Sequence, residues 1–208
     1  MRVIALIGNK GGAGKTTLAI NMATVLNQEA PTLLLDADPQ GSALHWSAML
    51  EGENIPEVID ATDNTTTVIN THKDRASHVL VDCPPQLHAP QTREALQHVD
   101  LALIPVLPSP LDLWASVAVG DTIADIKKEN PGLQALLVIN QLEPRTRLSR
   151  MVQSAIQELD IPVATTTLHR RMVYRSSVLE GKSVAQMGSI GAAAADEIDR
   201  LLAEVSAL

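Results

Sequence analysis

Short apolar runs alternate with helical patterns along the whole chain, and this alternation confines the fold more tightly than any other feature. Residues 3–7, 32–35, 78–81, 101–106 and 133–139 are apolar at most positions, and residues 161–165 form a weaker sixth run. Strands apolar on both faces must be covered on both faces. Helical patterns over 15–27, 42–50, 91–98, 113–130, 148–159 and 191–207 supply that cover. The spacing predicts an α/β fold, a mostly parallel twisted β-sheet flanked by helices on both faces through right-handed crossovers. Its core must be aliphatic, because the 208 residues include no Phe and only three aromatics, Trp46, Trp114 and Tyr174. With 45% apolar residues the chain can bury a full core, which excludes general disorder and predicts a single domain over residues 1–208. The most polar stretch, 51–75, reads as an excursion carrying a short strand and helix.

Breakers place the boundaries. Asn130-Pro131-Gly132 ends the long helix, since Pro cannot continue it and Gly accepts the cap conformation. Pro84-Pro85 follows one predicted strand and Pro108-Ser109-Pro110 lies just beyond another. Both are strand C-terminal ends, where open α/β sheets bind ligands. The single Cys83 cannot form an internal disulfide, and six scattered histidines show no zinc-ligand spacing. The opening apolar stretch is too short for a signal peptide or a membrane span, so a cytoplasmic location is expected.

Chemistry concentrates in Gly8-Asn9-Lys10-Gly11-Gly12-Ala13-Gly14-Lys15-Thr16-Thr17, between the first predicted strand and the first predicted helix. Glycines let successive backbone N–H groups turn inward around an anion, and the helix N-terminus adds its positive dipole end. Lys15 is placed to neutralise the β and γ phosphates, and the Thr16 hydroxyl to ligate Mg²⁺. Asn9 stands where the usual phosphate-loop pattern has its first Gly, and Lys10 adds a second lysine inside the loop.

KGGAGKTT resembles the variant phosphate loop of the ParA/MinD family of ATPases. Asp36-Ala37-Asp38-Pro39-Gln40-Gly41 resembles that family's first switch, and Asp82-Cys83-Pro84-Pro85 its metal-binding strand end and second switch. Segments 105–112 and 173–183 resemble the small ParA-type partition ATPases of the ParF kind. The resemblance implies ATP and Mg²⁺ as ligands. Gly11, Gly12, Ala13, Gly14, Lys15, Thr16 and Thr17 would hold the phosphates, and Thr16, Asp36 and Asp82 the metal. Asp38 would orient the attacking water. Lys10 would reach across a dimer interface to the partner subunit's nucleotide. Asn140 would meet the adenine, and Leu168 and Met172 would border the base.

Relatives of such a site do different work, so partners must be weighed separately. The C-terminal stripe of residues 198, 201, 202, 205 and 208 has a polar face of four acids and one Arg, which an anionic bilayer would repel. No membrane partner is expected, which sets aside a MinD-like membrane cycle. An ATP-dependent synthetase with a related loop is the other alternative, and Lys10 with the first switch argues against it. The formal charge of −8 argues against nucleic acid, but it is unevenly distributed. Residues 145–182 carry Arg145, Arg147, Arg150, Arg170, Arg171, Arg175 and Lys182 against three acids, a local net of +4. That stretch is the expected surface for non-specific double-stranded DNA, through backbone phosphates. The expected protein is thus a dimeric, nucleoid-associated positioning ATPase. Its hydrolysis would be stimulated by a cargo-linked partner, either a ParB-like centromere-binding protein or an McdB-like carboxysome adaptor.

Overall fold

A computed structural model describes residues 2–50, 55–143 and 160–208. Six strands form one all-parallel sheet: β1 (Arg2–Leu6), β2 (Thr32–Asp36), β3 (Glu57–Asp60), β4 (His78–Asp82), β5 (Leu101–Val106) and β6 (Gln134–Ile139). Their order is β3-β2-β4-β1-β5-β6, which puts β1 in the interior and β3 and β6 at the edges. Seven α-helices occur among the described residues: α1 (Lys15–Glu29), α2 (Ser42–Ser47), α3 (Thr65–His72), α4 (Pro90–Leu96), α5 (Pro110–Ile126), α6 (Val173–Leu179) and α7 (Gly188–Ser206).

The period-two pleat splits the aliphatic residues between two cores. Val3, Ala5, Leu33, Leu35, Val79, Val81, Leu137 and Ile139 face one layer with Ile69, Leu96, Ile123 and Ile126 of α3, α4 and α5. Ile4, Leu6, Leu34, Leu80, Leu103 and Val138 face the other layer, with Leu18 and Met22 of α1, Trp46 of α2, and Ile198 and Leu201 of α7. Each fully buried Val, Leu, Ile or Met among them contributes about 1.5–3 kcal/mol.

The excursion at 51–75 carries the expected strand and helix, as β3 and α3. The 161–165 run does not become a strand. Pro162 has no N–H to donate, and the segment makes a single parallel bridge, Leu137 to Val163. Helix α6 has no counterpart among the sequence expectations, and the helix expected at 148–159 lies outside the described residues. The C-terminal stripe packs on the sheet as expected, with Ile198, Leu201, Leu202 and Val205 buried, while Leu208 stays exposed. One of its four acids departs from the expected pattern: Glu197 is wholly buried.

Candidate functional site

The loop between β1 and α1 is built by backbone conformations that favour glycine. Gly12 and Gly14 have φ of +81° and +91°. A Cβ on Gly14 would also collide with the Asn140 amide. Asn140 and Gln141, at the end of β6, clamp the loop. The Asn140 Nδ2 donates to the Ala13 carbonyl at 2.7 Å, and the Gln141 Nε2 to the Gly12 carbonyl at 3.0 Å. Gln141 adopts φ of +58°, uncommon outside glycine, and its N–H donates to the Asn140 Oδ1. Their backbone conformation points both amides at the loop; β-strand patterning carries no signal for it.

The loop forms one end of a cleft of about 510 Å³. Of the expected nucleotide residues, Gly11, Gly12, Gly14, Lys15, Thr16, Thr17, Asn140 and Leu168 line it, with Asp38. Ala13 lies beneath the loop and presents no side chain to the cleft. Met172, the residue before α6, is 76% exposed and stands outside the cleft lining. His169, inside the 168–172 loop expected at the base, lines the cleft, and Tyr174, not anticipated there, joins it.

Lys15 is 6% exposed, with its ammonium 3.3 Å from the Lys10 carbonyl. Burial pulls its pKa down, and the nearby Asp82 and Asp38 carboxylates pull it back up. Asp82 and Asp36 are in-register partners on β4 and β2, yet their carboxylates do different work. Both Asp82 oxygens are buried with no hydrogen-bond partner within bonding geometry among the described residues. Burial pushes the Asp82 carboxyl up to about 7, opposed by the Thr16 hydroxyl and Lys15 and reinforced by Asp36. A buried carboxylate left without donors, beside a threonine hydroxyl, fits a hard divalent cation.

Asp36 has a structural task as well as its expected one. Its Oδ2 accepts the N–H groups of Ala43 and Leu44 at 2.9 and 3.0 Å, and its Oδ1 that of Asp38 at 3.2 Å. It therefore caps the start of α2 while lying close enough to Asp82 to raise that carboxyl's pKa. Asp38 is half-buried; its Oδ1 accepts the Gln40 N–H at 3.0 Å. Cys83 is a packed thiol whose pKa burial pushes up.

Lys10 does not line the cleft of its own loop. Its ammonium pairs with Asp112 at the start of α5, 2.8 Å away, where Ser109 also bonds the carboxylate. The basic stretch divides three ways. Arg145, Arg147 and Arg150 lie outside the described residues. Arg170, Arg171 and Arg175 line the cleft, and Lys182 pairs with Glu180 at 3.0 Å. Arg171 is engaged by the buried Glu197, with Nε and Nη2 at 3.0 and 2.6 Å, and about a third of its side chain stays exposed. Arg170 pairs with Glu143 at 2.7 Å.

The sign of the Asp82 shift makes a prediction. A carboxyl raised from 3.8 to about 7 in the folded chain adds stability below pH 4 and loses it as pH rises toward 7. Metal needs the ionised form, so the rise in Tm on adding Mg²⁺ and nucleotide should be larger at pH 8 than at pH 6. Asp82→Asn should abolish that difference. Equal rises at both pH values in the unsubstituted protein would contradict it.

A parallel sheet with a glycine-rich loop at the C-terminal end of an interior strand, buried Lys15 and donor-free Asp82 defines a P-loop nucleotide-binding fold. Residues 4–184 match the family model of the CobQ/CobB/MinD/ParA nucleotide binding domain. The chain belongs to that family. It is 45% identical over 205 residues to the maintenance of carboxysome distribution protein A of Halothiobacillus neapolitanus, covering 97% of this chain and 95% of that protein. The Cyanothece McdA(D38A)–ATP complex superposes with a TM-score of 0.77 at 15% identity, over 96% of this chain and 94% of that one. Cobyrinic acid a,c-diamide synthase of Mycobacterium smegmatis, with bound ADP and magnesium, also gives 0.77, at 22% identity over 97% and 94%. Fold likeness alone therefore does not separate a positioning ATPase from a synthetase. Among the described residues, no helix is long and apolar enough to cross a membrane.

Proposed function

We propose that the protein is a ParA-type ATPase that binds Mg²⁺ and ATP, dimerises with ATP, holds DNA without sequence preference and distributes carboxysomes. The observation that carries this reading is the full-length, 45% identity to a carboxysome distribution protein. Two features of the site support it. Lys10 is turned away from its own cleft, as a residue serving a second subunit must be. The Asp38 carboxylate lines the cleft with Oδ2 free of hydrogen bonds among the described residues.

Each residue then has one task. The loop N–H groups and Lys15 bind the β and γ phosphates, Lys15 exchanging the Lys10 carbonyl for phosphate oxygen. Thr16 and Asp82, supported by Asp36, would hold Mg²⁺, which would supply charge neutralisation on the phosphates. Asp38 orients the attacking water, and in this chemistry such positioning supplies most of the rate. Lys10 leaves Asp112 to neutralise charge across the interface. The Lys10 end of the pair is half-exposed and Asp112, though mostly buried, keeps its Ser109 bond, so breaking the pair costs on the order of 1 kcal/mol, which ATP contacts can offset. Arg145, Arg147, Arg150, Arg175 and Lys182, with Arg170, supply the basic surface, and two subunits double the phosphate contacts. A cargo-linked adaptor stimulates hydrolysis, the dimer opens and DNA is released. ATP must bind the closed state better than ADP does for this cycle to run.

Sedimentation and DNA retention test this together. The unsubstituted protein is expected to become dimeric with ATP, and to retain duplex DNA only then, with affinity falling steeply as salt rises. Lys10→Ala is expected to bind ATP within a few-fold of normal yet stay monomeric and release DNA. ATP-driven dimers of Lys10→Ala, or DNA retention indifferent to ATP, would contradict the reading.

A further inference from the structure

The cleft wall formed by residues 168–175 is held from behind by the C-terminal helix. Residues 162–170 run beside β6 and its following loop. Ala164, Leu168 and Arg170 donate their N–H groups to the carbonyls of Leu137, Ile139 and Leu142 at 2.8, 2.9 and 3.1 Å. Other N–H groups of this segment turn toward α7. Thr165 and Thr166 donate to Glu204 at 2.7 and 3.1 Å, and His169 donates to Glu197 at 3.2 Å. Glu197 and Glu204 stand two helical turns apart, on one side of α7.

Glu197 goes further than a tether. It is fully buried, and its carboxylate gathers His169 Nδ1 at 2.7 Å, Arg171 through two nitrogens and the Tyr174 hydroxyl at 3.3 Å. All three partners line the nucleotide cleft. A carboxylate in this position would be costly without a cation, and Arg171 provides it, with Nε and Nη2 both bonded to Oε1. Nothing in the phosphate chemistry uses Glu197, yet it fixes three side chains of one wall at once.

We propose that Glu197 is a positioning residue for the base and ribose end of the bound nucleotide, acting through Arg171, His169 and Tyr174. This rests on the nucleotide reading of the cleft. Its consequence is that α7 sets how well the base end is gripped, while the phosphate loop, anchored by Asn140 and Gln141, is set independently. Binding of ATP should therefore depend on Glu197, whereas binding of a bare triphosphate should not.

The test measures Mg²⁺–ATP and Mg²⁺–tripolyphosphate affinities by calorimetry on the full chain. Glu197→Gln keeps the shape and removes the charge. It is expected to weaken ATP by about tenfold while tripolyphosphate stays within about twofold. Arg171→Gln should reproduce this split, and stands as the test on its own if Glu197→Gln does not fold. The double variant should be no worse than the weaker single, because the two act as one pair. Unchanged ATP affinity, or ATP and tripolyphosphate weakening in step, would overturn the proposal. An unsubstituted protein that binds neither ligand would overturn the nucleotide reading beneath it instead.

Discussion

Lys15→Ala is expected to lose ATP binding by about a hundredfold or more, roughly 3 kcal/mol, measured by calorimetry with Mg²⁺ present. The size follows from where the ammonium sits. It is 6% exposed, between the Asp82 and Asp38 carboxylates, and it is the cation that the cleft offers at the phosphate loop. Its removal takes away a charge-assisted contact to the phosphates and leaves two acids facing them uncompensated. Because Asn140 and Gln141 hold the loop backbone and Lys15 adds only one long contact to it, at 3.3 Å to the Lys10 carbonyl, the thermal midpoint of the nucleotide-free protein should change little. Retention of tight ATP binding would remove Lys15 from the phosphate site.

Asp38→Ala is expected to leave ATP affinity within a few-fold and to lower turnover by about 10²–10⁴-fold. The side chain's bond to the Gln40 N–H fixes the loop that follows β2, so part of the effect must be separated from loop disorder. Asp38→Asn does this, since it keeps an oxygen for Gln40 while losing the charge. Both variants should accumulate as ATP-bound dimers, detected by sedimentation and by phosphate release. Normal turnover in either would take Asp38 out of the reaction.

The parts of the site that are local in sequence were legible from it. The phosphate loop packs its glycines, both lysines and Thr16 into ten residues, and the strands announce themselves by being apolar on both faces. What the sequence left open depends on distant partners. A carboxylate after a strand can support a metal, cap a helix or both, and only the start of α2 seven residues on shows that Asp36 caps. Glu197 sits at a helical spacing that reads as polar surface, and its burial is decided by Arg171, 26 residues earlier. Lys10 meets Asp112 across 102 residues. Helix α6 was missed because its short Val-Tyr-Arg-Ser-Ser-Val-Leu run shows neither an N-cap side-chain signal nor a clear apolar stripe. The split of positive charge was legible in number but not in direction, since Arg171 lines the cleft and pairs with the buried Glu197.

The short edge strand β3 has one more consequence. It is four residues long, with exposed acids, Glu57 and Asp60, at its two ends. Another copy of this chain aligning against it would bring like charges together along a contact too brief to compensate. Open-ended stacking of sheets is thereby discouraged at that margin. If copies of the chain meet loop to loop as proposed, at the surface where Lys10 lies, this margin leaves that association to be governed by the nucleotide's phosphates and undone when they are cleaved.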